Sequence, residues 1–390
     1  MSTNTKKSPV SDYVVVGSGL SGLLVARALS KEGAQVTLLE ASENFGGLNR
    51  PISTQLGPQE NSLRFLPDTE LSRRGLAFLS NLIGEDIAFE SVLREPLTYE
   101  AGGLRPFVGF GDLSPEFYDE LSYFLGPKEL VLSAPVHTWT QKLFENLQVD
   151  FLPRSYVTKF HYQEGKIHSM TVNGQKTIQA LNVIYAGPLK SLKILLPEEA
   201  FPNRARQKLS KAKFWTAVGL DIIHGKTASE NYGLHVLNGT TQDDLGPCVG
   251  RFYSSQTLDE GVRQMSQWLT FIDDEDAEDT EKIGAVLKKI KRQIKRAYPE
   301  ALDGVISERI LAVPSFAGNG DLKLSGHQTL PQANNFWIAS GAVHPLKNLL
   351  GSLAQAQLVT SALGVNPLGA DLEPVSVDVA DESEEDAEQT

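Results

Sequence analysis

The readable pattern of the chain begins with a short apolar segment, a glycine-rich turn and an amphipathic segment. Residues 12–16 are rich in valine and are typical of a strand buried on both faces of a parallel sheet. Residues 17–22, Gly-Ser-Gly-Leu-Ser-Gly, form a turn. Residues 23–32 have the apolar face of a helix that ends at Gly33, and residues 35–39 form a second strand closed by Glu40. The pattern therefore predicts a strand–turn–helix–strand unit.

The rest of the chain alternates between helical and strand-like patterns. Helical periodicity is found at 71–89, in parts of 107–147, at 281–297 and at 351–363. Strand patterns are found at 156–160, 166–172, 183–186, 307–313 and 335–339. Four more strand candidates, separated by turn residues, lie at 214–223, 232–237, 250–254 and 268–272. Their close succession predicts an antiparallel sheet.

These elements predict an α/β fold with two domains, which suits a length of 390 residues. One is a Rossmann-like dinucleotide-binding domain with a parallel sheet and a βαβ unit; the other is an α+β substrate domain with a mostly antiparallel sheet. We expect the first domain to be discontinuous, built from 1–80, 150–200 and 308–367. The second takes 81–149 and 201–307, and 368–390 is predicted to be a disordered acidic tail.

Composition and charge exclude several classes of protein and of site. Apolar residues make up 41% and charged residues 22% of the chain, which excludes bulk disorder. The formal net charge is −12, but nine acids and no base lie after residue 370, so the body is nearly neutral. A surface of this charge argues against nucleic acid as the main ligand. The single cysteine, Cys248, excludes an internal disulfide and a cysteine-based metal site, and we expect no metal.

Apolar runs and charge blocks bear on location. No apolar run reaches the ~18 residues of a membrane-spanning helix, so we expect a cytoplasmic protein. Seven acids at 273–281 precede seven bases at 282–296, an order that complements the dipole of a helix. The basic end of that helix leaves open a peripheral contact with an anionic membrane surface.

The glycine turn has the chemistry of a dinucleotide site. Gly17 permits a tight turn, Gly19 lets a pyrophosphate approach the backbone, and Gly22 lets the helix pack against the strand. The helix N-terminus offers N–H groups and partial positive charge to phosphates. Glu40, at the end of the second strand, can accept hydrogen bonds from ribose hydroxyls and would repel a 2′-phosphate. A glycine-rich turn without a nucleotide is the alternative, and the flanking strands and Glu40 argue against it.

A glycine doublet, Gly46-Gly47, follows this acid. With it the sequence resembles the superfamily of FAD-dependent amine oxidases, phytoene desaturases and protoporphyrinogen oxidases, whose members carry the same turn, acid and doublet. The stretch around Val157, residues 182–188, and the pair 335–341 and 351–356 resemble further segments of that superfamily. The resemblance implies FAD as the cofactor rather than NAD.

The resemblance also implies a set of cofactor contacts. The residues expected to contact FAD are Gly17, Gly19, Leu20, Ser21, Gly22, Glu40, Ala41, Gly46, Gly47, Arg50, Val157, Ala186, Gly187, Gly341, Ser352 and Leu353. The chain departs from the superfamily pattern twice. Leu48 and Asn49 separate the doublet from Arg50, and the late aspartate of the superfamily falls on Gly341 or Ala342. Both departures remove polar contacts to the cofactor.

Candidate reactive groups are few. A helix opening at Gly351-Ser352 would direct N–H groups at the pyrimidine end of the flavin and favour hydride acceptance; an ordinary packing helix is the alternative. His344 lies in the stretch that runs beside the flavin in the resembling proteins, and is either an acid/base or an uninvolved histidine. Phe316 either walls a substrate cavity or packs in a core.

We therefore expect an FAD-dependent oxidoreductase of the amine oxidase or desaturase type. It would move a hydride from a C–N or C–C bond of a small or apolar substrate to flavin N5, with a small molecule as its partner. Two alternatives stay open: a non-redox flavoprotein such as a UDP-galactopyranose mutase, and a non-catalytic binding protein on the same fold. The sequence leaves the oligomeric state, the substrate and the electron acceptor open.

Overall fold

The computed structural model describes residues 10–111, 114–238, 247–318, 322–346 and 348–365. The strands are β1 Ser11–Val16, β2 Val36–Leu39, β3 Ile52–Thr54, β4 Gly57–Gln59, β5 Phe89–Leu93, β6 Leu97–Glu100, β7 Gly103–Pro106, β8 Lys128–Leu132, β9 Asp150–Leu152, β10 Val157–Gln163, β11 Lys166–Val172, β12 Lys176–Tyr185, β13 Phe214–His224, β14 His235–Leu237, β15 Cys248–Phe252, β16 Gln256–Leu258, β17 Gly261–Asp273, β18 Val305–Gly318, β19 Thr329–Leu330 and β20 Ala333–Ile338. The α-helices are α1 Leu20–Lys31, α2 Glu70–Ile83, α3 Tyr118–Ser122, α4 His137–Phe144, α5 Leu192–Leu195, α6 Asn203–Lys211, α7 Thr280–Ala297 and α8 Asn348–Ala362.

The first sheet is built around β1. This strand pairs in parallel with β2 on one side and with β12 on the other. β9 extends the sheet beyond β2 and β20 extends it beyond β12, again in parallel. Because the chain leaves β1 towards β2 and later returns on the opposite side as β12, the carboxyl end of β1 is a topological switch point. Ligand crevices form at such points.

The two faces of this sheet are covered by different elements. Successive side chains of a strand point to opposite faces, and Val14 and Val15 are both fully buried in different clusters. Val15 packs with apolar residues of α1, α2, α4 and α8. Val14 packs with β10, β11 and the segment of α5 and α6. The predicted strand buried on both faces is therefore confirmed.

The second sheet has the order β18-β13-β17-β15-β14-β6-β7, with β16 paired to β17. Its described pairs are antiparallel except β14 with β6, so the predicted mostly antiparallel sheet is confirmed. On one face Val218 and Leu220 pack against Ile290 and Ile294 of α7. Cys248 belongs to this core, where burial raises the pKa of its thiol to about 12.

Several predicted boundaries were wrong. α1 begins at Leu20 rather than at residue 23, so the last glycine of the turn already lies in the helix. α2 ends at Ile83 because Gly84 takes a left-handed conformation, and 89–93 form a strand instead of continuing the helix. α8 begins at Asn348 rather than at residue 351. The strand predicted at 268–272 is the end of the longer β17.

The division into domains stays a prediction, and one segment crosses its boundary. Residues 308–318 were assigned to the dinucleotide-binding domain, whereas β18 pairs with β13 along the second sheet. The C-terminal half of β18 also faces the first sheet, as described below. The predicted acidic tail, 368–390, lies outside the described residues.

Candidate functional site

The glycine turn joins β1 to α1. A side chain would meet neighbouring atoms at Gly17 and Gly22 but not at Gly19. Gly17 has φ +100°, a left-handed conformation that favours glycine, and a Cβ there would lie 3.1 Å from the Ala186 carbonyl oxygen. A Cβ on Gly22 would overlap the Gly17 carbonyl oxygen, which confirms the predicted close packing of helix on strand. In contrast, nothing lies within 4 Å of a Cβ built on Gly19. The turn therefore leaves open space in front of Gly19, at the N-terminus of α1.

Glu40 is fixed to this turn by its carboxylate. Oε2 accepts hydrogen bonds from the Ser18 amide at 2.9 Å and the Ser18 hydroxyl at 2.6 Å. Oε1 accepts one from the Ser42 amide at 2.8 Å. A carboxylate has about four lone-pair positions, so these three bonds leave capacity for a further donor. The acid predicted to bind ribose is thus oriented before any ligand arrives.

These contacts also set the proton affinity of Glu40. Partial burial acts to raise its pKa, but the hydrogen bonds from Ser18 and Ser42 outweigh it and hold the pKa below the ordinary value of 4.5. A carboxyl with a lowered pKa in the folded state stabilises the fold above its unfolded pKa and loses that contribution as the pH falls.

We therefore expect the free energy of unfolding to fall as the pH drops below about 4.5, with Glu40 as one cause. Glu40→Gln cannot titrate, so its stability deficit relative to the parent should be largest near pH 7 and shrink towards pH 3. Urea unfolding of both proteins at four or five pH values measures this. A deficit that stays constant over the whole range would contradict the assignment.

The glycine doublet packs directly on the turn. The Gly46 amide donates to the Ser18 carbonyl at 2.8 Å, and Gly46 and Gly47 have φ +101° and +54°. A Cβ on Gly47 would lie 3.1 Å from the Gly19 Cα. The doublet therefore lies beside the turn, in contact with Ser18 and Gly19. Arg50 is exposed and lies outside the lining of the cleft described next.

A cleft of about 580 Å³ opens at the switch point; we refer to it as the first cleft. Its lining includes twelve of the sixteen predicted cofactor residues, namely Gly17, Gly19, Leu20, Ser21, Glu40, Ala41, Gly47, Val157, Ala186, Gly187, Gly341 and Ser352. Gly22, Gly46, Arg50 and Leu353 lie outside it. The cleft continues from the turn to residues 313–318 of β18, so it joins the two sheets.

The far wall of the first cleft comes from the end of β12 and the start of β10. The Ala186 amide donates to the Val16 carbonyl at 2.9 Å, which continues the parallel pairing past the end of β1. Gly187 is pressed against its neighbour, since a Cβ there would lie 2.8 Å from the Tyr185 hydroxyl oxygen. Val157 is the first residue of β10. The end of β12 and the start of β10 thus line the same cleft as Glu40, and the Ser155 amide, just before β10, donates to the Glu40 carbonyl at 2.7 Å.

The C-terminal segment differs from expectation. A Cβ on Gly341 would lie 2.8 Å from the Ser352 amide nitrogen, so the aspartate of the resembling proteins has no room here without a backbone shift. Ser352 lies in the second turn of α8, so the free amides of this helix belong to the turn that begins at Asn348. Leu353 is fully buried in the core beside Gly75 and does not line the cleft.

His344, the predicted catalytic residue, is placed elsewhere. Its ring is 4% exposed and lies among Leu71, Arg74 and Leu358, away from the first cleft. Nδ1 accepts a hydrogen bond from the Leu346 amide at 3.0 Å, and burial lowers the pKa of His344 to about 4. The imidazole is therefore neutral at pH 7 and braces a loop, which does not favour the acid/base role.

Three polar residues of the lining were not among the predicted cofactor contacts. Asn49 Oδ1 and Asn348 Nδ2 are buried and make no hydrogen bond among the described residues. An unpaired buried acceptor and donor cost free energy until a partner arrives. Glu120 of α3, 2% exposed, lines the same cleft. Single polar residues in otherwise ordinary segments gave no pattern by which the sequence could reveal them.

The open space at Gly19, the pre-oriented Glu40 and the two unpaired amide atoms fit a dinucleotide cofactor with a polar head at the turn. The described residues contain no cluster of three histidine, cysteine or acidic side chains that would hold a metal ion. Within the described ranges, no helix is long and apolar enough to cross a membrane.

Comparisons with known proteins agree with this geometry. A sequence-family profile described as an NAD(P)-binding Rossmann-like domain matches residues 15–65. Among solved structures, the chain is similar to a putrescine oxidase bound to putrescine, at 13% identity and a TM-score of 0.62, covering 92% of this chain and 99% of that one. It is similar to cyclohexylamine oxidase from Brevibacterium oxydans at 14% identity and 0.62, covering 91% and 99%. It is also similar to a reduced UDP-galactopyranose mutase at 10% identity and 0.64, covering 93% and 98%.

The comparison with curated proteins found no match. The structural likeness defines the class of fold: a Rossmann-like domain joined to a second, mostly antiparallel sheet. More particularly, the chain has the fold of the amine oxidases named above, over nearly its whole length. The predicted fold class and the predicted resemblance are confirmed at that level.

Proposed function

We propose that the protein binds FAD in the first cleft and acts as an oxidoreductase. It would transfer a hydride from a C–N or C–C bond of a small molecule to the flavin. The observation that carries the proposal is the continuity of the first cleft, which runs from the open Gly19 and the oriented Glu40 to the second sheet. A dinucleotide held at the turn would extend its other end to that sheet.

In this proposal, residues at one end of the first cleft bind the cofactor and residues at the other end exclude water. The first-turn amides of α1 and the open face of Gly19 hold the pyrophosphate, and Glu40 accepts hydrogen bonds from the ribose hydroxyls. FAD, when bound, supplies the hydride-accepting ring. At the far end Phe214, Val313 and Phe316 form an apolar wall that excludes water from the place where a hydride would move.

This assignment revises one part of the expected mechanism. His344 has no acid/base role in this proposal, because it lies outside the lining of the first cleft and shares a small pocket with residues of α2 and α8. The chain's contribution to chemistry is then binding, orientation and exclusion of water. The likeness to a UDP-galactopyranose mutase keeps a non-redox flavoprotein as an outcome of the test below.

We expect the purified protein to be yellow and to release FAD rather than FMN on denaturation. A visible spectrum, followed by chromatography of the released flavin, measures this. Anaerobic reduction of the bound flavin by a substrate, with recovery of an oxidised product, would support the oxidoreductase; a product isomeric with its substrate would indicate the non-redox alternative. A colourless protein that also fails to take up added FAD would leave a non-catalytic binding protein.

A further inference from the structure

A second cleft, of about 550 Å³, lies between β15 and the segments that follow β4 and β8. We refer to it as the second cleft. Its arginine, glutamate and histidine lining residues are Glu60, Arg64, Arg94, Glu129, His137 and Arg251. With histidine neutral, three arginines face two glutamates, so the lining has a formal charge of +1. This is a positive site in a chain whose net charge is −12.

Two of the three guanidinium nitrogens of Arg251 have no hydrogen-bond partner among the described residues. Its Nη1 donates to Glu129 Oε1 at 2.8 Å, and the side chains of both residues are less than a tenth exposed. Its Nε and Nη2 are buried and make no hydrogen bond among the described residues. These two atoms form the outer edge of the guanidinium, the geometry that pairs two oxygens of a carboxylate or phosphate at once. Glu129 therefore orients Arg251 without satisfying it.

Arg64 connects the second cleft to the first. Its Nη2 donates to the carbonyl of Leu48, which lines the first cleft, and to the Asn61 carbonyl at 3.1 Å. Among the described residues its Nε makes no hydrogen bond, and Glu60 Oε2 lies 4.0 Å from it. The side chain is 12% exposed. Arg64 thus lines the second cleft, is hydrogen-bonded to a residue that lines the first, and adds a second cationic group to the lining that contains Arg251.

We propose that the second cleft binds the oxyanion group of the substrate, a carboxylate or a phosphate, with Arg251 as its main partner. That the anion belongs to the substrate rests on the proposed function and on the hydrogen bond from Arg64 to Leu48 of the first cleft, whereas the binding of an anion does not depend on that function. A paired anion satisfies the free edge of Arg251, and its interaction is strong because the site is largely desolvated.

The test is calorimetric titration of the full chain in a buffer without oxyanions. The probes are succinate, inorganic phosphate and the uncharged succinamide. We expect millimolar or tighter binding of at least one anion and no binding of succinamide; the anion that binds identifies the group. The titration is repeated after addition of FAD, so that failure of the flavin proposal and failure of the anion proposal are separate results.

Three variants and a control locate the site. Arg251→Gln should weaken anion binding about tenfold or more. Arg251→Lys keeps the charge but loses the two-donor edge, so its anion affinity should lie between those of the parent and of Arg251→Gln. Glu129→Gln keeps an oxygen for Nη1 and removes a negative charge, so it should bind at least as tightly as the parent. Arg73→Gln, at an exposed pair with Asp68, is the matched control and should bind as the parent does.

Glu129→Gln also distinguishes a local effect from misfolding. It is expected to leave anion affinity unchanged or raise it, whereas Arg251→Gln lowers it, and misfolding would lower the affinity of both. The proposal is overturned if neither anion binds the parent, if succinamide binds as well as succinate, or if Arg251→Gln binds with parental affinity. Weaker binding in Glu129→Gln, with the fold intact by circular dichroism, would also overturn it.

Discussion

Replacing Gly19 by valine is expected to abolish FAD binding while changing the free energy of unfolding little. Nothing lies within 4 Å of a Cβ at this position, so the protein itself has room for a side chain there. The same space is the one a pyrophosphate needs, and a branched side chain would fill it. Gly19 is the N-cap of α1 and has extended backbone, so a valine there costs about 1 kcal/mol in lost capping preference. The variant should therefore be folded and colourless.

Gly22→Val is the matched comparison for this result. A Cβ at Gly22 would overlap the Gly17 carbonyl, so this variant should lose both stability and FAD. Thermal unfolding and flavin titration of the two variants separate the effects. If Gly19→Val bound FAD as tightly as the parent, the cofactor could not lie against the turn.

Glu40→Ala should weaken FAD binding by one to two orders of magnitude. Each hydrogen bond from a ribose hydroxyl to the carboxylate is worth roughly 1.5–3 kcal/mol, and about 1.4 kcal/mol corresponds to tenfold in affinity. The structure adds a second effect, because Ser18 is fully buried and would lose the acceptor of its amide and hydroxyl. We therefore expect a loss of stability of about 1–3 kcal/mol as well.

FMN provides the control for Glu40→Ala, since it lacks the adenosine half. Titration of parent and variant with both flavins should show a loss for FAD and none for residual FMN binding. Glu40→Gln, which keeps one acceptor oxygen for Ser18, should restore most of the stability and only part of the affinity. Equal losses for both flavins in a folded variant would mean that Glu40 does not meet the ribose.

The sequence predicted those parts of the fold that local pattern determines. The strand at β1, the turn, α1 and β2 were recognisable because a valine-rich run, spaced glycines and a 3.6-residue period follow one another within thirty residues. The strands β3 to β9 were missed because each has only three to five residues, too few to show alternation. Their pairing depends on distant partners, as in β9, which pairs with β2 across more than a hundred residues.

The residues of the candidate site also fall into those that local pattern predicts and those that it does not. Residues that the backbone needs, such as Gly17 and Gly22, were predicted for reasons that the structure confirms. Side chains that act through position alone were not: Arg64 and Arg251 are nearly two hundred residues apart and occur in unremarkable segments. His344 shows the opposite error, since closeness in sequence to a cofactor segment did not place its ring in the cleft.

The pairing of β1 with β12 has a consequence for biosynthesis. The glycine turn is complete within the first fifty residues, but its opposite wall at Ala186 and its third wall at Ser352 are made much later. When translation has reached only β11, β1 and the glycine turn lack β12, the strand that pairs with β1 on one side. Cofactor loading should therefore wait until translation has passed α8, and the early half of the chain would rely on chaperones to shield Val14 and Val15.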